Sequence, residues 1–173
     1  MIRLIIFGLL SAGIFVVSKD DLRNPRAYGF YHFFAFEAIL AAFLFNVLYW
    51  IENAFSVTQL VSWVLLFASL PMVLGGFSIL LKLGQPENGL DTTALVTRGV
   101  YAYIRHPLYG SLLFFVWGVF FKRPSVLVGC LAGVASVFLL ATAKVEQREN
   151  LERFGDDYAE YMQLTKMFVP FLW

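Results

Sequence analysis

The chain has 173 residues, of which 60% are hydrophobic and only 14% charged. A water-soluble domain is nearer half apolar and a quarter charged, and this much apolar surface cannot be kept in water without large exposed patches; a soluble globular domain and a disordered chain are both excluded. The net charge of +1 leaves no bulk field for nucleic acid, the single Cys130 permits no internal disulfide, and His32 and His106 are too few and too distant in sequence to suggest a metal site.

A helix needs about 20 apolar residues to cross the hydrocarbon core, and on that scale five spans are predicted, at residues 2–18, 28–51, 56–81, 107–121 and 124–143. The first, with Arg3 just ahead of its uncharged run and the small residues Ser11-Ala12-Gly13 within that run, has a cleaved leader as its rival reading; four further spans argue against that. The second is interrupted by His32 and Glu37. The third carries Pro71 and Gly75-Gly76, read as packing positions that let helices approach closely. The fourth is short, and Lys122-Arg123-Pro124 turns it into the fifth as a tight hairpin. The expectation is an all-α integral membrane protein, a single membrane domain over 1–173.

Two segments are not spans: 82–106 and 144–173. The first, with Gly84, Pro86, Asn88-Gly89, Asp91 and Gly99, reads as an irregular loop. The second sets Leu151, Phe154, Tyr158 and Tyr161 three or four apart, the stripe of an amphipathic helix. Ten of the 13 basic residues fall on the side of the membrane that holds these segments. Positive loops stay inside, so the N-terminus is expected outside, the C-terminus in the cytoplasm and the site at the cytoplasmic interface, with a bacterial or archaeal cell membrane as the location.

The densest polar constellation runs from Leu95 to Tyr109 and includes Gly99, Tyr101, Tyr103, Arg105, His106 and Pro107. Pro107 disfavours helical geometry at His106 and is itself suited to the first position of a helix. His106 is thereby placed at the mouth of the fourth span, where the positive dipole end favours a carboxylate or phosphate. Arg105 adds a fixed charge; the plainer reading is an interfacial belt of Tyr with a snorkelling Arg. The second constellation is Glu146-Gln147-Arg148-Glu149 with Glu152 and Arg153, in which a solvated charged face is the plainer reading. Glu37 and His32 lie five apart, about 140° around a helix, so they do not share a face. An ionisable group inside a span is a functional candidate by default, either pairing with another helix or lining a lipid channel.

The stretch Gly99-Val100-Tyr101, three residues, Arg105-His106-Pro107, one residue, Tyr109 resembles the signature of the isoprenylcysteine carboxyl methyltransferases and their phospholipid N-methyltransferase relatives. Their second signature has its counterpart in Glu146-Gln147, Phe154-Gly155, Tyr158 and Tyr161. The resemblance implies S-adenosylmethionine as cofactor, bound without a Rossmann fold, in a pocket built by Thr93, Ala94, Leu95, Val96, Tyr101, His106, Pro107, Leu108, Tyr109 and Glu146. In it His106 would hold the cofactor carboxylate and Glu146 its ammonium. Catalysis is expected to rest on Glu146 and Arg105, and Glu37 and Glu149 are candidate substrate residues; no metal is expected.

The sequence departs from the family pattern where substrate is concerned. Gln147 replaces the second acid, Asn150 a usual Leu and Ser111 a usual Gly, and Thr142 stands where the isoprenylcysteine enzymes carry a substrate-binding Arg. The expected activity is methyl transfer to a carboxyl, amine or thiol group of a lipophilic small molecule or lipid taken from the membrane, with no nucleic-acid partner and no oligomeric state implied. Two rivals stand beside it. One is an NADPH-dependent lipid reductase, whose Arg-His-Pro-Asn-Tyr segment is here changed at Leu108; the other is a non-catalytic protein of the same fold.

Overall fold

A computed structural model describes residues 1–84, 86–88, 91–92 and 94–169, with 86–88 and 91–92 described by backbone alone. In chain order it contains α1 (Ile2–Ser18), α2 (Tyr28–Asn46), α3 (Val57–Leu83), β1 (Pro86–Asn88), β2 (Asp91–Thr92), α4 (Pro107–Lys122), α5 (Val126–Phe154) and α6 (Asp156–Leu164). Short 3₁₀ turns cover Asp21–Arg23, Val47–Tyr49 and Gly99–Ala102. Three helical stretches, Tyr28–Tyr49, Val57–Leu83 and Val126–Phe154, are long and apolar enough to cross a membrane; α1 and α4 are apolar but shorter.

Two elements end elsewhere than the sequence expectation by several residues. The second span stops being α-helical at Asn46 and finishes as a 3₁₀ turn. The fifth helix does not end with its apolar run at 143 but continues through the charged residues to Phe154. Lys, Glu and Arg are good helix formers, so charge alone is no stop signal. Gly155, at φ +56, is the stop, in a backbone conformation that glycine adopts without strain, and it divides the expected amphipathic stripe between the end of α5 and α6. The segment read as irregular also contains a minimal antiparallel ladder that pairs Pro86 with Thr92 and Asn88 with Asp91.

The chain clusters into two compact units. The first comprises Met1–Leu66 and Leu113–Glu146. Its core includes two stripes rich in alanine: Ala35, Ala38 and Ala42 on α2, and Ala132, Ala135 and Ala143 with Leu139 on α5, are all buried. Each set repeats every three or four residues, so each forms one stripe of its helix, and small side chains let helix backbones approach closely where lipid offers no hydrophobic drive. Phe34 stacks on Phe138 with ring centres 5.1 Å apart, joining α2 to α5. Helix α1 lies along α2, with Phe15 against Phe33, and buries no residue fully.

The carbonyls that close α4 are satisfied by side chains from α2 and α3. Asn46 Nδ2 donates to the carbonyls of Val119 (2.8 Å) and Arg123 (3.1 Å). Gln59 Nε2 donates to that of Lys122 (3.0 Å), and Ser62 Oγ to that of Gly118 (2.7 Å). The Lys122 ammonium donates to Gln59 Oε1 (3.0 Å) and lies 3.2 Å from the centre of the Trp63 ring. A connection of only three residues, 123–125, then leads into α5, as the Lys-Arg-Pro turn predicts.

The second unit comprises Phe67–Leu112 and Gln147–Trp173. Here α3 meets the start of α4 at Gly76, where a Cβ would stand 3.1 Å from Leu108 Cδ2 and 3.3 Å from Pro107 Cγ. Of the two neighbouring glycines, Gly76 is the one with this contact; a Cβ on Gly75 would meet nothing within 4 Å.

Candidate functional site

The second unit contains most of the residues expected to act. Its organising feature is an exchange of backbone bonds between residues 103–106 and the segment that follows α6. Arg105 N–H donates to the Lys166 carbonyl (2.8 Å), His106 N–H to that of Met167 (3.1 Å), and Lys166 N–H to that of Tyr103 (3.1 Å). Ile104, 3% exposed, forms a parallel bridge with Lys166. Side chains strengthen the seam. Arg105 Nη1 donates to the carbonyls of Met162 (2.9 Å) and Thr165 and approaches Thr165 Oγ1. The Tyr161 hydroxyl donates to the Tyr101 carbonyl (2.6 Å), and the Thr165 hydroxyl donates to the Tyr161 carbonyl (2.6 Å).

Local sequence explains why the chain can run this way. Gly99 takes φ +63, and a Cβ there would run into Ile79; the 3₁₀ turn that starts at Gly99 buries Tyr101. Gly110 N–H donates to the His106 carbonyl (2.9 Å), which makes His106 the residue that caps α4, directly before Pro107. The imidazole is 5% exposed, stacks at 15° on the Tyr109 ring and has Phe168 on another side. His106 and Tyr109 therefore form one aromatic wall at the positive end of a helix. Burial pushes the Arg105 guanidinium below its ordinary value, opposed by Tyr158 and Tyr161. Burial pushes the Tyr161 phenol well above its ordinary value.

Of the other expected residues in this unit, Ala94, Leu95 and Leu108 are half-buried, and Val96 and Pro107 are buried. Thr93 lies outside the described residues. Glu149 is half-buried. Gln147 is 7% exposed, and its Nε2 has no hydrogen-bond partner among the described residues.

The first unit holds Glu37 and Glu146. Glu37 Oε1 is buried within α2 without a hydrogen-bond partner among the described residues. The Glu146 carboxylate acts electrostatically on His32, an imidazole that also lies over the Phe36 ring with centres 4.2 Å apart. The sequence named both His32 and Glu146 as polar residues of interest but had no means of joining them: they are far apart in the chain, and only the packing of α2 with α5 associates them. At Thr142, where the resemblance places a substrate-binding Arg, the side chain is fully buried and its hydroxyl donates to the Phe138 carbonyl (2.8 Å). That position is filled and internally satisfied.

The profile of the phospholipid methyltransferase family matches residues 57–157. Methanethiol S-methyltransferase 1 of Bradyrhizobium diazoefficiens is 30% identical over 115 residues, which cover 62% of this chain and 38% of that protein. Methanethiol S-methyltransferase of Pseudomonas deceptionensis is 29% identical over 94 residues, 53% of this chain and 33% of that protein. The chain thus spans between a third and two-fifths of the length of these curated relatives. A solved structure of the eukaryotic intramembrane Ras methyltransferase, isoprenylcysteine carboxyl methyltransferase, aligns with a TM-score of 0.42 at 19% identity, covering 99% of this chain and 76% of that one.

Proposed function

The chain belongs to the phospholipid methyltransferase family, and from that membership we propose that it transfers a methyl group from S-adenosylmethionine to a lipophilic or small acceptor at the cytoplasmic face of a membrane. The observation that carries the reading is the buried His106 at the cap of α4, stacked on Tyr109 and locked by the segment after α6, inside the matched region. The relatives named above are methanethiol S-methyltransferases, which makes thiols one acceptor class beside carboxylates and amines.

The residues present fit such a cofactor chemically. An amino-acid carboxylate calls for hydrogen-bond donors and a positive field, which His106 and the start of α4 offer; orphaned donors, Arg105 Nε and Gln147 Nε2, remain in the same unit. A sulfonium calls for aromatic faces, which Tyr109 and Tyr101 offer. Glu146 supplies a carboxylate for an ammonium. When bound, the cofactor supplies an electrophilic methyl carbon that needs no metal or redox partner. The chain's own part is to bind, to align the acceptor in line with that carbon, and to keep water out. In this arrangement Arg105 positions: its guanidinium holds the seam that keeps His106 in place. Glu146 or Glu149 takes a proton if the acceptor is an ammonium, and Glu37 is the candidate contact for an acceptor inside the bilayer. All five apolar helices cross, with the N-terminus outside and the C-terminus in the cytoplasm of a bacterial or archaeal cell.

Isothermal titration of the detergent-solubilised chain with S-adenosylmethionine tests this. Wild type binds, and His106→Ala weakens binding by about tenfold or more, the scale of one hydrogen bond to a charged group. A wild-type protein that takes up no cofactor refutes the proposal.

A further inference from the structure

Helices α1 and α2 lie side by side, joined by residues 19–27, and the two ends of the pair differ. Near the connection they close on each other, with Phe15 against Phe33. At the other end, Ile2, Leu4 and Phe7 of α1 and Ala41, Leu44 and Phe45 of α2 line a groove of about 670 Å³. Small-molecule sites occupy about 300–1,000 Å³. One charged residue belongs to the lining, Arg3.

Arg3 does not sit on the outer face of its helix. The half-buried residues of α1 are Arg3, Phe7, Ser11, Ile14 and Ser18; they recur every three or four positions and so form the one stripe laid on α2. The Arg3 guanidinium makes a single long bond, from Nη1 to the Phe45 carbonyl at 3.5 Å. No carboxylate among the described residues pairs with it. A guanidinium carries five donors in a planar fork, so most of its capacity is open to a ligand.

Depth and chemistry together select that ligand. The 17 residues of α1 at 1.5 Å each make about 26 Å, less than the roughly 30 Å of hydrocarbon. It crosses only if both ends reach the boundary, Arg3 at one and Lys19 at the other. Arg3 is then level with the phosphates of one leaflet, and the groove beside it lies at the depth of their acyl chains. Phosphate fits the guanidinium fork bidentately. A zwitterionic lipid offsets its own phosphate with its own cation, so a lipid of net negative charge is the better partner.

We infer that this end of the α1–α2 pair binds an anionic phospholipid, with its phosphate on Arg3 and one acyl chain in the groove. The site shares no residue with those given to the methyl donor or acceptor, and it stands apart from the methyl-transfer reading.

The test titrates the full chain in detergent with phosphatidylglycerol, phosphatidylcholine or oleate and counts bound molecules by native mass spectrometry. Wild type should hold one phosphatidylglycerol about tenfold or more tighter than phosphatidylcholine, the scale of a hydrogen bond to a charged group. Arg3→Gln should lose that preference, and Arg3→Lys, a point charge without the fork, should recover part of it. Ala41→Phe fills the groove and leaves the cation in place, and it should weaken binding by a similar factor. The double variant should lose the same one lipid and no second. Phosphatidylglycerol should also raise the Tm of wild type and not that of Arg3→Gln.

Equal retention of the two phospholipids by wild type overturns the inference, as does unchanged affinity in Arg3→Gln or Ala41→Phe. Losses that add to two lipids overturn it too, because the two residues would then serve separate contacts. So does oleate held as tightly as phosphatidylglycerol, or a lipid-free dimer, which would give the groove to a second copy of the chain. An Arg3→Gln protein that melts lower without lipid yet keeps its phosphatidylglycerol would reduce the guanidinium to a cap on α2, and the inference would fall.

Discussion

A guanidinium that donates to the carbonyls of Met162 and Thr165 ties two points of the chain to a third, and Tyr161 reinforces the tie from the opposite direction through the Tyr101 carbonyl. Both side chains bear on His106, since residues 103–106 hold their course only while the segment after α6 lies against them. The Tyr161 bond requires the neutral phenol, and burial raises its pKa in the folded chain. An unfolded phenol ionises near about pH 10. The contribution of this group to stability is therefore complete below about pH 10 and is lost as pH rises from there toward the higher folded value. Melting temperatures measured from pH 8 to 11 should fall more steeply for wild type than for Tyr161→Phe above pH 10. Equal slopes would show that the buried phenol does not govern alkaline stability. That Tyr158 and Tyr161 belong together is legible in their spacing; that Tyr161 reaches the Tyr101 carbonyl is not, because the partner lies 60 residues away.

At the scale of elements, the short α4 raises the sharpest problem. Sixteen residues at 1.5 Å each make about 24 Å, less than the roughly 30 Å of a hydrocarbon core. A helix that stops early leaves its last carbonyls where no water can reach them, and every such group is costly in lipid. Asn46, Gln59 and Ser62 answer that demand, with the Lys122 ammonium fixed against Gln59 and Trp63 at the negative end of the helix dipole. Asn46→Leu keeps the volume and removes both donors, so it should lower stability by about 1–3 kcal/mol, the cost of stranding a buried polar group, read as a lower melting temperature in detergent. A neutral effect would mean that these carbonyls find other partners. The positions of the five apolar helices were legible because membrane thickness imposes a length on any run that crosses it. Their ends were less so: nothing in Lys144 to Arg153 distinguishes a helix that continues from a new one, and the stop comes only at Gly155. The caps were illegible, since Asn46 and Gln59 look like stray polar residues in apolar runs until their partners 63 to 77 positions away are known. The candidate site divides the same way. His106 was placed at the mouth of α4 by the proline after it, whereas the burial of Gln147 and the association of His32 with Glu146 depend on tertiary packing.

For the whole molecule, the open question is which side of the membrane each connection faces, and charge answers it more directly than helix length. Three helical stretches suffice for crossing by length, while α1 and α4 fall short. Yet a chain in which α4 failed to cross while α5 did would put Lys122 and Arg123 on the side of the loop 84–106 and carry Lys144, Arg148, Arg153 and Lys166 to the other side, a division of eight to five with little bias to orient it. Five crossings instead put ten of 13 basic residues on one side, the distribution that membrane insertion favours. In the proposed five-crossing arrangement the buried caps make good the shortfall of α4. With Cys130 replaced by Ser, single cysteines introduced as Asn53→Cys and Ser125→Cys should react with a membrane-impermeant maleimide applied to intact cells, and those introduced as Asn24→Cys and Glu152→Cys should react only after the membrane is opened. Labelling at 24 and 152 from outside would invert the orientation. Labelling of 53 but not 125 would mean that α4 fails to return across the membrane, and the five-crossing arrangement would be lost with it.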